Sequence, residues 1–135
     1  MTINKICIPK YVENKEQIEH FIWWVDDLLS IESIDVSVSF RRYLKHKNPK
    51  NNRDHGWCTP NDKTGDLDVI INTAHCTSFS DILETLAHEF IHVNQHDKDY
   101  FISQEFESPD YDYETDPNEI EAWSKMGDIV TEFYK

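Results

Sequence analysis

The chain reads as one α+β domain, and three patterns predict it. Apolar residues recur at helical spacing between Asn14 and Ile31, alternate with polar ones in two later stretches, and return to helical spacing from Ser80 onward. Helices with one apolar stripe and strands with one wet face bury those surfaces only by packing in layers. At 135 residues the chain suffices for one such domain, which buries about two-thirds of its unfolded surface.

In order along the chain, a short strand is expected over Lys5 to Ile8. Asn14-Lys-Glu-Gln17 has the form of a capping box, and Ile18, Phe21, Ile22, Val25, Leu28 and Leu29 follow on one helical face, which predicts a helix from about Lys15 to Ile31. Ile34, Val36, Val38 and Phe40 then alternate with Asp35, Ser37 and Ser39, the pattern of a strand with one solvated side. Asn48 to Gly65 is rich in Asn, Asp, Gly and Pro and reads as loops or a hairpin around Trp57-Cys58. Leu67, Val69 and Ile71 define a further strand, Leu67 to Asn72.

From Ser80 the stripe Ile82, Leu86, Phe90 and Val93, widened by Leu83, Ala87 and Ile91, predicts a helix to about His96. An acidic loop follows. A last helix is expected from Pro117 towards Phe133, with Ile120, Trp123, Met126 and Val130 inward. No internal repeat is visible.

Composition narrows the function classes. A formal net charge of -13 disfavours nonspecific contact with nucleic acid or anionic lipid. Arg41, Arg42, Lys45, Lys47, Lys50 and Arg53 concentrate positive charge locally; a solvated strand end and loop explains them, and a docking surface for an acidic partner is the alternative. No apolar run approaches the ~20 residues of a membrane span. The first residues, MTINKICIPK, are too polar for a signal peptide. Cys7, Cys58 and Cys76 are scattered and odd in number, which fits reduced thiols. Together these predict a cytoplasmic protein.

Chemistry concentrates in Glu84-Thr-Leu-Ala-His88-Glu89-Phe-Ile-His92-Val-Asn-Gln95, which contains HExxH. Residues four apart share a helical face, so two imidazoles there can bind one Zn²⁺ at about 2.0–2.1 Å while the intervening Glu89 reaches a water on the ion as general base. A catalytic zinc takes three protein ligands and leaves one position for water. His96 continues the row, but three imidazoles rising about 6 Å apart along one helix cannot converge on one ion.

The third ligand is therefore sought in Asp116-Pro-Asn-Glu119-Ile-Glu121-Ala122-Trp123. Asp116 suits the N-cap and Pro117 the first helical position. Glu119 falls on the side of Ala122, Trp123 and Met126, whereas Glu121 shares its face with Ser124, Lys125 and Asp128. Glu119 is the favoured ligand. Glu121 is the alternative, and a capping role for Glu119 is the bland one.

These two segments together resemble the gluzincin class of zinc peptidases, in particular small phage-encoded metallopeptidase-like proteins. In those, a His-Glu-Phe-Ile-His-Val-x-Gln helix precedes an x-Pro-x-Glu-x-Glu-Ala helix; here the matching residues are His88 to Gln95 and Asp116 to Ala122. The resemblance implies that zinc is held by His88, His92 and Glu119, with Glu89 as the base. The fold it implies is a minimal zincin-like domain with an N-terminal helix, a small mostly antiparallel sheet, the HExxH helix and a C-terminal helix carrying Glu119. It also implies a peptide or protein substrate, with strand Leu67 to Asn72 beside the site helix available to pair with it. A phage origin would place the protein in the host cytoplasm.

The expected function is thus a zinc-dependent metallopeptidase or peptidase-like hydrolase. The alternative is a catalytically silent zinc-binding structural or peptide-binding protein, which a fourth protein ligand would favour. Tyr100, Tyr111 and Tyr113 are candidate donors to an oxyanion. Two other clusters are weaker: Asp110 to Glu121 matches the acidic positions of a calcium loop but has Thr115 where the turn needs Gly, and His55, Cys58, His75 and Cys76 lack standard zinc spacing.

Overall fold

The computed structural model describes residues 3–42, 55–102 and 112–135. Its elements are β1 Ile3–Cys7, α1 Lys15–Leu28, β2 Val36–Arg41, β3 Gly56–Pro60, β4 Leu67–Asn72, α2 Phe79–Asp97 and α3 Pro117–Phe133, with a 3-10 turn over Tyr113–Thr115 ahead of α3. This is an α+β arrangement. Lys45, Lys47, Lys50, Arg53, Asp110 and Tyr111 lie outside the described residues.

The four strands form one sheet in the order β1-β2-β4-β3. β1 with β2 and β2 with β4 run parallel, and only β3 with β4 is antiparallel. The expected mostly antiparallel sheet is therefore corrected to a mixed one. The cause is connectivity: α1 carries the chain back along its length before β2 begins, so β1 and β2 point the same way. The β3–β4 connection is short enough for a hairpin. There Asn61 Oδ1 accepts from the Lys63 and Thr64 amides, and Gly65 takes φ 79°.

β4 is an inner strand. Val36 to Arg41 pair with it on one side and Gly56 to Pro60 on the other. Leu67 to Asn72 is thus not available to pair with another chain; among the described residues the edge on this side belongs to β3, which α2 also touches.

One sheet face is apolar and buried, through Val36, Val38, Phe40, Leu67, Val69 and Ile71. Ile18, Phe21, Ile22 and Val25 of α1 and Leu83, Leu86, Ala87, Phe90 and Val93 of α2 complete the core. Phe133 at the end of α3 meets Phe21 edge-on at 4.9 Å and Trp24 at 5.1 Å.

The helix ends show where local rules were overridden. Asn14 is left-handed, φ 62°, and its side chain does not cap α1, so the capping box is not formed. α1 stops at Leu28 rather than near Ile31. Ser30 turns left-handed, its amide bonds the Asp27 carbonyl, and the Ile31 amide bonds that of Asp26, which is a Schellman closure.

α3 starts at Pro117 as expected, but its buried stripe is rotated. Asn118, Ala122, Ile129 and Val130 are buried. Ile120 and Trp123, expected inward, are each 53% exposed. The small Ala122 lets α3 lie close against α2, and that contact takes the helix face next to the one carrying Trp123.

Candidate metal centre

α2 is a long helix with its N-terminus closed by Ser78, whose Oγ accepts from the Asp81 amide at 3.0 Å. His88, Glu89 and His92 lie well inside it, and all three are buried. The two imidazoles stand one turn apart with ring centroids 5.0 Å apart.

α3 supplies the third group. Asp116 caps it by accepting from the Asn118 amide at 2.9 Å, and Pro117 fixes the first turn. That geometry turns Glu119 onto α2, where its Oε1 lies 2.9 Å from Nε2 of His88 and 2.9 Å from Nε2 of His92. One ligand atom from each of the three residues lies within 4.8 Å of the other two.

Whether these residues fit a metal can be tested on that geometry. Ligands about 2.0–2.1 Å from a tetrahedral ion lie about 3.3 Å from one another. The observed nitrogen–oxygen separations need to open by only a few tenths of an ångström. The donor set, two imidazoles and a carboxylate, is one that zinc accepts. The residues fit.

The charges of the cluster shift one another's protonation. Burial pulls His92 down, but its bond to Glu119 and the adjacent Glu89 carboxylate outweigh that and raise it to about 9. Burial pushes Glu119 up, yet the bonds from His88 and His92 bring it to about 2. Glu89 is raised by burial, with His88 and His92 offsetting part of the effect and Glu119 adding to it. It is a desolvated carboxylate within electrostatic reach of both imidazoles, the environment that strengthens a general base.

The other sequence candidates separate clearly. His96 stacks on Phe101 at 4.0 Å and takes no part in the cluster. Glu121 keeps its ion pair with Lys125 at 3.1 Å, but its Oε1 also accepts from the Tyr100 hydroxyl at 2.6 Å and from Nε2 of Gln95 at 3.1 Å. Among the described residues, Tyr113 is the candidate tyrosine that reaches the centre. Its hydroxyl donates to Glu119 Oε1 at 3.3 Å and accepts from Trp123 Nε1 at 2.9 Å, while the Trp123 ring lies 4.9 Å from that of His88.

Among the described residues, His88, His92 and Glu119 are the one convergent cluster of metal-ligating groups. His55 and His75 meet as rings 5.9 Å apart, and the Cys76 thiol contacts the His55 carbonyl and the Thr85 hydroxyl. Burial pushes Cys58 up, as do the carboxylates of Glu89, Glu119 and Asp68, and burial raises Cys76 to about 11. Both stay protonated thiols. In the calcium-loop candidate, Asp112 and Asp116 are spent on backbone amides of Glu114 and Asn118.

Gln95 is the site residue that sequence reasoning did not single out. It is fully buried, and its Oε1 lies 2.8 Å from Nδ1 of His92. A buried glutamine three positions after His92, on the face of an amphipathic helix turned to its neighbour, was the available signal. Asn94, beside it, donates to the Tyr100 hydroxyl at 3.1 Å and thus stays at the polar rim of the helix.

Comparison with protein-family models, curated proteins and solved structures gave no match. Among the described residues, no helix is long and apolar enough to cross a membrane.

Proposed function

We propose that the protein is a zinc-dependent metallopeptidase, or a peptidase-like hydrolase, acting on a peptide or protein. The observation that carries this reading is the meeting of His88 Nε2, His92 Nε2 and Glu119 Oε1 beside the buried carboxylate of Glu89. A bound zinc would supply Lewis acidity, polarising a scissile carbonyl and acidifying a water.

The chain's own groups then have distinct tasks. Glu89, the only one of the four functional groups not joined to the cluster as a ligand, would take a proton from the attacking water and return it to the leaving amine nitrogen. Tyr113, whose O–H here donates to Glu119, would turn it to the carbonyl oxygen as negative charge develops there, with the Trp123 N–H still held by the hydroxyl oxygen. A substrate in extended form would add to the sheet at β3, the edge beside α2. Three converging protein ligands, with no fourth among the described residues, favour an open coordination position over a closed structural one.

The deciding experiment is elemental analysis joined to peptide-library hydrolysis. Wild type is expected to hold one zinc and cleave; Glu119→Ala to lose both; Glu89→Gln to keep zinc and lose about 10²–10⁴-fold in turnover. Metal-replete wild type and Glu89→Gln cleaving at the same rate would remove Glu89 as the base. Zinc without cleavage in any peptide pool would leave the binding-protein reading in its place.

A further inference from the structure

We infer that Gln95 is the positioning residue of this centre: it holds His92 with Nε2 turned to Glu119, where a metal would be bound, and ties that ring to the turn carrying Glu119. This rests on the zinc reading above. It concerns groups that bind no metal themselves.

A buried amide reveals its orientation through its partners. The Gln95 Nε2 group lies 2.9 Å from the Asn118 carbonyl and 3.1 Å from Glu121 Oε1. A carbonyl and a carboxylate only accept, so the NH₂ end must face α3 and the oxygen must face His92. An acceptor 2.8 Å from Nδ1 calls for a proton on that nitrogen. With Nδ1 keeping its proton for Gln95, Nε2, whose own proton here donates to Glu119 Oε1, is the nitrogen that would give up its proton and offer a lone pair to a metal.

The same amide joins the two halves of the centre. Asn118 directly precedes Glu119, and its side chain is fastened to Ile102, accepting from the Ile102 amide at 3.1 Å and donating to the Ile102 carbonyl at 2.7 Å. Glu121, the other acceptor, is held by the Tyr100 hydroxyl and Lys125. Tyr100 reaches it because α2 ends in a Schellman turn: Asp99 is left-handed, φ 61°, and the Tyr100 amide bonds the Gln95 carbonyl at 3.0 Å. Gln95 thus connects His92 to the first turn of α3 through one buried side chain bonded at both ends. His88 has no counterpart, since its buried Nδ1 lacks a hydrogen-bond partner among the described residues.

The test uses zinc chloride as probe. Wild type and variants are titrated against a chromophoric chelator, and the zinc-loaded proteins are inspected by imidazole ¹⁵N–¹H NMR. Wild type is expected to show a His92 Nδ1 proton that exchanges slowly with water. Gln95→Leu should lose that resonance and bind zinc about 10- to 100-fold more weakly. Glu121→Gln, which keeps an acceptor oxygen, should retain both. If Gln95→Leu does not fold, the exchange Gln95→Glu with Glu121→Gln preserves an acceptor for His92 and restores a donor–acceptor pair between the helices. It should keep the resonance and bind zinc more tightly than Gln95→Glu alone. Unchanged zinc affinity and an unchanged His92 resonance in Gln95→Leu, or no gain from the exchange, overturns the inference. A wild type that takes up no zinc overturns the parent reading, and this inference with it.

Discussion

Asp97 shows how much one side chain can organise away from the metal. It ends α2, and its Oδ1 accepts from the Ser33 amide at 2.6 Å, the Ser33 hydroxyl at 2.7 Å and the Glu32 amide at 3.1 Å. Lys98 bonds its other oxygen and the Ser30 carbonyl. Burial pushes Asp97 up, but the Lys98 ammonium and the Ser33 and Glu32 donors outweigh it and hold the carboxyl well below the usual range. A carboxylate depressed in the folded state contributes stability above its unfolded pKa of about 3.9, and that contribution fades as pH falls towards the folded value. Asp97→Asn should therefore be less stable than wild type at pH 7 by about 1 kcal/mol, after allowing for solvent screening. The gap between the two melting temperatures should begin to narrow below about pH 4 and keep narrowing as pH falls towards the folded value. A constant gap down to pH 2 would mean the carboxylate charge is not what holds the loop. The same reasoning from charge explains the choice between Glu119 and Glu121: the Lys125 neighbour legible in the sequence does engage Glu121. Its bonds to Gln95 and Tyr100, by contrast, join residues 26 and 21 positions away and had no local trace.

Among the elements, β3 fits closely against both β4 and α2 at Gly56. A Cβ on Gly56 would lie 2.8 Å from the Ile70 carbonyl oxygen and 2.9 Å from Thr85 Cγ2. Both are shorter than atoms tolerate, and one of them is backbone. Thr85 stands one turn before His88 and Glu89, so pressure at Gly56 is applied to the site helix itself. Gly56→Ala should cost about 1–3 kcal/mol in a denaturant titration and lower zinc affinity. An unchanged midpoint would show that β3 yields freely. Helix spans were largely legible because the apolar stripes of α1, α2 and α3 repeat at 3.6 residues. Strand direction was not. Alternation in Val36 to Phe40 and Leu67 to Ile71 marks a face, and it is the same for a parallel and an antiparallel partner. The rotated stripe of α3 has a similar origin: Ile120 and Trp123 satisfy the helical period, but contact with α2 chose the neighbouring face.

At the scale of the molecule, the centre joins α2 to α3 through Glu119, and a metal there would act as a cross-link between them. Anything bound by the folded chain alone stabilises it by mass action, about 2.7 kcal/mol at 100 times its dissociation constant. Zinc should therefore raise the melting temperature by several degrees, chelator should reverse the change, and Glu119→Ala should abolish it. A melting temperature indifferent to both zinc and chelator would argue against a metal at this junction. Phe133, packed on Phe21 and Trp24, secures the far end of α3, so loss of the ion is expected to loosen the first turns of that helix before its last.

What the chain's own letters determined was periodic or chemical in character: three helices, the α+β class, and the groups able to bind a metal. HExxH specified two imidazoles on one face because helix geometry is local, and Asp116-Pro117 marked the start of the helix that brings Glu119. Only the tertiary structure decided the mixed sheet, the inner place of β4, the outward turn of Trp123 and the link from His92 through Gln95 to Glu121. Each of those depends on which surfaces meet across long separations along the chain, and spacing within one segment carries no information about its partner.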